Sequence, residues 1–307
     1  MNPNLGVLAL TGATGFVGGA TLDRLIEAGW QVRALTRRDQ PKRAGVTWVN
    51  GSLDDADSLK QLCEGAGAVL HIAGVVNALD AAGFEAGNVT GTANMLATAK
   101  GAGIKRFVHV SSLSAREPQL SIYGASKLRG EKLVSTSMLD WTIVRPPGVY
   151  GPGDTEMLDM FRMASKGFVL LPPKGRVSLI HVDDLARLLV ALVPERDDAT
   201  AKIFEADDGL PCGWSHEHFA HAIGKAMNRR VTAIHVPRLL LKLAAYGDRL
   251  VRKEKAKLTP DRANYLSHPD WTVSRDAAPP AALWTPQVET RVGLTETARW
   301  YDAQGWL

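Results

Sequence analysis

The sequence predicts an α/β fold: a doubly wound parallel sheet with helices on both faces, joined to a smaller, mostly C-terminal subdomain. Three observations carry this. Apolar runs alternate with helical patterns through about residue 150. The runs are nearly continuous rather than alternating, as expected of strands covered on both faces. From Gly151 the pattern changes to Met- and Leu-rich helical stretches, and only residues 202–206 read as a strand returning to the sheet. The sheet-bearing part is therefore placed at 1–150 plus about 176–207. The subdomain is placed at 151–175 and 208–307.

Composition narrows the class. With 307 residues the chain can bury a sizeable core. Hydrophobic content of 45% and charged content of 22% are ordinary for a soluble globular protein. The net charge is only +4, and the Lys and Arg read as scattered rather than collected in blocks. That argues against nucleic-acid binding and for a solvated surface. Cys63 and Cys212 lack metal-like spacing and fit a reducing compartment. The short polar start leaves no room for a signal peptide, and no apolar stretch approaches the ~20 residues that span a bilayer. A cytoplasmic location is expected.

The first strand, residues 7–10, ends in a glycine loop that runs straight into a helical pattern at Phe16, Val17, Leu22, Leu25 and Ile26. Gly12, Gly15 and Gly18 are spaced by three. They suit a tight turn, bare backbone against a pyrophosphate, and close packing of helix on strand. Run, loop and helix together look like the first strand, phosphate loop and first helix of a Rossmann-type dinucleotide-binding fold. Gly12, Thr14, Gly15, Phe16, Val17 and Gly18 are its candidate cofactor contacts, with the helix N-terminus facing the phosphates. Gly29 stops the helix, and Gln31–Thr36 reads as the second strand. The residue closing that strand lies beside the adenosine ribose. Here Arg37 and Arg38 follow, with no acid before Asp39. Guanidinium groups suit a 2′-phosphate, so NADP is favoured over NAD.

Residues 46–49 form a short third strand, followed by Ser52 and Leu53 near the expected adenine and a helix near 55–64. The fourth strand runs from Ala68 into the small-residue loop Ala73–Gly74. A helix over about 84–101 and a fifth strand over about 106–112 complete the series. Gly12, Arg37, Ala73 and Ser112 all fall at carboxyl ends of strands, where such sheets bind ligands.

The chemistry follows the fifth strand. Ser111 and Ser112 close it, and Tyr123 and Lys127 open the next helix on one face, four residues apart. A free phenol has a pKa of about 10. An adjacent ammonium would lower it towards useful acid/base chemistry, and a serine hydroxyl would hold an oxygen on which charge develops. The hydride would come from reduced nicotinamide.

With these residues in view, the chain resembles an extended or atypical short-chain dehydrogenase/reductase, of the NAD(P)-dependent epimerase/dehydratase family. The matching stretches are residues 11–18, 71–74, 88–92, 110–112, 123–127, 145–152 and 180–186, with the aromatic C-terminus. The resemblance implies Tyr123 as acid/base and Lys127 on the nicotinamide ribose. It implies Ser112 orienting the substrate oxygen, with Ser111 or Ser114 as substitutes. It also implies Pro146 and Val149 against the nicotinamide. Asn88 matches an asparagine that supports a water relay, or caps the helix after it. Ser52 departs from the acid common in its segment. The short gap before Tyr123 tilts away from nucleotide-sugar enzymes towards redox on an apolar ketone or secondary alcohol. An epimerase or dehydratase with retained cofactor, and a non-catalytic NADPH-binding assembly protein, are the alternatives. Relatives often pair as homodimers.

In the remaining chain, Met157, Met160, Phe161 and Met163 suit core packing more than a pocket. Arg176 and His181 lie near the expected cleft, and Asp183 and Asp184 are expected to cap a helix. The stretch from His216 to His221 lacks the His-Glu-x-x-His spacing, so no metal is expected. Residues 237–257 form a basic amphipathic stretch, read as a subdomain helix with a solvated face in preference to a membrane-surface helix.

Overall fold

A computed structural model describes residues 5–78, 80–252 and 258–307, without the side chains of 249–252. The first half runs β1 (Val7–Thr11), α1 (Phe16–Ala28), β2 (Gln31–Thr36), β3 (Val46–Asn50), α2 (Ala56–Cys63), β4 (Ala68–His71), α3 (Ala81–Phe84), α4 (Gly91–Gly101), β5 (Arg106–Val110), α5 (Ile122–Ser135) and β6 (Asp140–Val144). The rest runs β7 (Gly148–Tyr150), α6 (Leu158–Ser165), β8 (Phe168–Leu171), β9 (Arg176–Val177), β10 (Leu179–His181), α7 (Val182–Ala191), β11 (Lys202–Phe204), β12 (Trp214–Ser215), α8 (His216–Ala226), β13 (Thr232–His235), α9 (Arg238–Arg252), α10 (Pro260–Leu266), β14 (Asp270–Trp271) and α11 (Thr290–Ala303).

Seven strands form one sheet in the order β11-β6-β5-β4-β1-β2-β3, with every pairing parallel. The order reverses between β1 and β4, which opens a crevice above their carboxyl ends. Alternation along β1 feeds both faces. Leu8 and Leu10 pack with Leu22 and Leu25 of α1 and Leu185, Leu188 and Leu189 of α7. Ala9 packs on the opposite face with Leu59 of α2, Met95 of α4 and Val134 of α5. A bidentate ion pair from Arg24 to Asp183 (2.6 Å for each bond) ties α1 to α7. A third apolar cluster joins α6, β8, α8 and α11 through Phe161, Val169, Phe219, Ile223, Leu294 and Tyr301. Met157, Met160 and Met163 pack against it as core.

Several boundaries differ from expectation. The helix expected over 84–101 starts at Ala81 and passes through a π-helical turn, Glu85–Thr90, before α4. β5 stops at Val110, so Ser111 and Ser112 lie just past the strand. The cap of α7 is His181, whose Nδ1 accepts the Asp183 amide at 3.3 Å. The two acids are engaged elsewhere: Asp183 holds Arg24, and Asp184 accepts the amides of Gln287 and Val288. Arg176 also has a structural role, because its guanidinium binds the carbonyls of Cys212 and Gly213. His181 is buried, with its Nδ1 engaged in the cap. His216 Nδ1 lies 3.0 Å from Pro173 O, and no metal-ligand group occurs among the described residues.

Candidate active site

The glycines of the β1–α1 loop divide by cause. Gly12 has φ +79°, and a Cβ there would lie 2.7 Å from Ala73 N. A Cβ on Gly18 would lie 1.9 Å from Gly12 O. Both glycines are demanded by the protein itself. Gly15 is different: its nearest neighbour would be 3.4 Å away, an ordinary contact. Its bareness keeps a surface open that no protein atom fills. Gly15 is also the N-cap of α1, with no side-chain cap and no acid in the first turn. The amides of Phe16, Val17 and Gly18 precede any intrahelical acceptor and carry the positive end of the helix. This cradle fits a diphosphate. Thr11 Oγ1 lies 2.7 Å from His71 Nδ1 and accepts the Ala73 amide at 3.2 Å, which locks the ends of β1 and β4 together.

At the rim, Arg37 and Arg38 are exposed, and among the described residues neither guanidinium has an acidic partner. Asp39 instead accepts from Asn50 Nδ2 at 3.2 Å. Ser52 pairs with Asp54, and the Leu53 side chain covers Gly91.

Past β5, the side chains of Ser111 and Ser112 diverge. Ser111 Oγ donates to buried Glu131 at 2.5 Å. Glu131 receives two bonds from Arg145 (2.9 and 2.7 Å), and Arg145 lies 3.5 Å from Glu205. Ser111 is thus anchored in a buried ionic ladder. Ser112 accepts the Ser114 hydroxyl at 2.9 Å, and its side chain is close enough to the Tyr123 phenol to favour the ionised form. Ser114 therefore supports Ser112. Ser121 caps α5 by accepting the Gly124 amide at 2.9 Å, which fixes the start of the helix that carries Tyr123. A Cβ on Gly124 would lie 2.5 Å from Ser114 O, so its absence lets α5 press onto the serine turn.

Burial raises the Tyr123 pKa, with Glu156 adding to the rise and the Ser112 side chain opposing it. The expectation of a lowered phenol pKa is not met in the free protein: the lysine is held elsewhere. Lys127 Nζ donates to Val110 O at 2.8 Å, and burial pulls its pKa down to about 8 against the attraction of Glu131. Bare Gly74 faces it, since a Cβ there would lie 3.5 Å from Lys127 Nζ and 3.0 Å from Asn88 Oδ1. Asn88 does not cap α4. Its side chain accepts the Val75 amide at 2.7 Å and donates to Val75 O and Ser126 Oγ, each at 2.9 Å. Pro146 O accepts the Leu113 amide at 2.9 Å, and Val149 sits in β7 beside it.

Four neighbours had no sequence signal. Phe84 lies against the Tyr123 ring, with centroids 6.0 Å apart. Tyr265 of α10 is close enough for the Tyr123 phenol to oppose its ionisation, on top of the larger effect of burial. Asp261 accepts the Ile122 amide at 2.9 Å. Glu156 binds Arg262 at 2.6 Å across the rim. All lie in elements whose spacing carries no motif, so α10 becomes the roof of the site only once folded.

Residues 8–206 match the family model described as NAD dependent epimerase/dehydratase. The chain belongs to that family. Family members close to it include a protein named ceramide reductase from Caulobacter vibrioides. It is 36% identical over 98% of this chain and 96% of its own length. Among solved structures, gox2253 superposes with a TM-score of 0.78 at 22% identity, covering 98% of this chain and 99% of that one. MoeE5 in complex with UDP-glucuronic acid and NAD superposes with a TM-score of 0.74 at 20% identity, covering 97% and 99%. The chain is thus a nicotinamide-dependent enzyme of the extended short-chain dehydrogenase/reductase type.

Proposed function

We propose that this enzyme is an NADP(H)-dependent ketoreductase acting on an apolar, ceramide-class ketone, with Tyr123 as the proton donor. The observation that carries the reading is the placement of the Tyr123 phenol beside Ser112, whose hydroxyl is itself held by Ser114 at 2.9 Å, with burial raising the phenol's pKa further above its ordinary value. A protonated phenol is the form needed to give a proton to an alkoxide developing at a reduced carbonyl. Ser112, itself held by Ser114, orients that oxygen. The nicotinamide supplies the hydride when bound. Lys127 would hold its ribose, with Asn88 fixing the adjoining loop, and Pro146 and Val149 would line the ring. Gly12 to Gly18 would cradle the diphosphate, with Ser52 and Leu53 near the adenine.

Substrate class is inferred from the full-length similarity to the ceramide reductase and from the aromatic company of Tyr123, namely Phe84 and Tyr265. In this reading residues 1–150 and 176–207 hold the cofactor, and 151–175 with 208–307 hold the substrate. The unpaired Arg37 and Arg38 favour the 2′-phosphate of NADP.

The test is cofactor consumption with an N-acylated sphingoid ketone. Net NADPH oxidation is expected, and NADH should serve poorly. Changing Arg37 and Arg38 together to Ala should raise the KM for NADPH about tenfold or more and leave NADH almost unaffected. Turnover without net cofactor change would instead establish an epimerase or dehydratase. Equal losses for the two cofactors would remove the arginines from the specificity reading.

A further inference from the structure

We propose that α9 docks the protein on an anionic bilayer surface, with its leucines entering the boundary between headgroups and acyl chains. Leu239, Leu240, Leu243 and Tyr246 are 69, 54, 58 and 58% exposed. At 3.6 residues per turn they share one side of the helix, and buried Ala245 lies on the other. Just before α9, Leu170 of β8 and Ile234 of β13 are register partners, and both are exposed. Large apolar side chains exposed together on one helix face mark an interaction site.

Charge identifies the occupant. Residues 237–257 contain seven basic side chains (Arg238, Lys242, Arg249, Arg252, Lys253, Lys255 and Lys257) against two acids (Asp248 and Glu254), a balance of 7 − 2 = +5. The whole chain is only +4, so the remainder sums to 4 − 5 = −1. The net positive charge of the chain therefore resides in this stretch. Arg238 and Lys242 lie in the described part of the helix; residues 253–257 fall outside the described residues. An exposed leucine face joined to a basic run is the pattern of a helix lying in the interface of an anionic membrane.

The face is connected to the active site. Asp248 accepts the Leu258 amide at 2.9 Å, α10 follows, and Asp261 of α10 accepts the amide of Ile122 beside Tyr123. α10 thus lies on the side of α9 away from the leucines, and docking through α9 would hold the site one helix layer from the bilayer. This needs only the surface and stands whether or not the ketone is a lipid.

The full-length protein is sedimented with vesicles of equal parts phosphatidylcholine and phosphatidylglycerol, and with phosphatidylcholine alone. Binding is expected to the mixed vesicles, with release by salt. The Leu239→Glu/Leu243→Glu variant should bind about tenfold less, with unchanged melting temperature and NADPH affinity because both side chains are exposed. Arg238→Glu/Lys242→Glu should also weaken binding to mixed vesicles. The proposal is overturned if the wild type stays in the supernatant with both vesicles, or if the leucine variant sediments as well as wild type. It is also overturned if those substitutions convert a dimer into a monomer while vesicle binding persists. Reduction of a detergent-solubilised ketone is measured alongside. Its failure bears on the ketoreductase reading alone.

Discussion

Tyr123→Phe is expected to lower kcat by about 10²–10⁴-fold while leaving NADPH affinity and fold intact. The change deletes one oxygen. The hydroxyl lies beside the Ser112 side chain, and the ring keeps its contact with Phe84. Any hydrogen bond lost with the oxygen would be worth only about 1 kcal/mol of stability. Stopped-flow measurement of hydride transfer, with NADPH binding followed by fluorescence, separates the two effects. A variant rate within about tenfold of wild type would remove the phenol from the reaction.

Gly18→Ala is expected to damage the protein most among the loop glycines. The new methyl would lie 1.9 Å from Gly12 O, a backbone atom that cannot swing away. Either α1 or the loop must move, at a cost of about 1–3 kcal/mol for overpacking. Helix propensity offsets less than about 1 kcal/mol of that. A displaced cradle should cost about 10²-fold in kcat/KM for NADPH as well. Gly15→Ala is the contrast. Its Cβ fits the protein at 3.4 Å, so the melting temperature should hold while NADPH binding falls. Normal NADPH binding by Gly15→Ala would mean that no phosphate approaches this surface. Calorimetry on the two variants reads both quantities.

The sheet was legible in the sequence because its strands are buried on both faces. Nearly continuous apolar runs such as those in β1 and β4, bounded by loops, read as buried strands, and Gly29 in the left-handed region marks the end of α1 where expected. The placement of Ser112 just past β5 and of Tyr123 and Lys127 on α5 was legible for a related reason. Strand ends converge in a parallel sheet, and a four-residue spacing fixes a helix face. What escaped depends on partners far apart in the chain. Ser111 is removed from consideration by Glu131, which is held by Arg145, and no local pattern announces that ladder. His181 caps α7 in place of the two acids because those acids are claimed by Arg24 and by the Gln287–Val288 backbone. The roof over Tyr123 comes from α10, a short helix with no periodic signature of its own. The lowered phenol pKa expected from Lys127 requires an ammonium free to face the ring. In the folded chain Val110 O holds it, and burial governs both groups.

The central claim is that hydride passes from nicotinamide to a ketone carbon while Tyr123 delivers the proton to its oxygen. It is tested most directly by running the reaction with NADPH deuterated at C4 and analysing the product by mass spectrometry. One deuterium on the carbinol carbon is expected. Product formed with no deuterium at that carbon would contradict it.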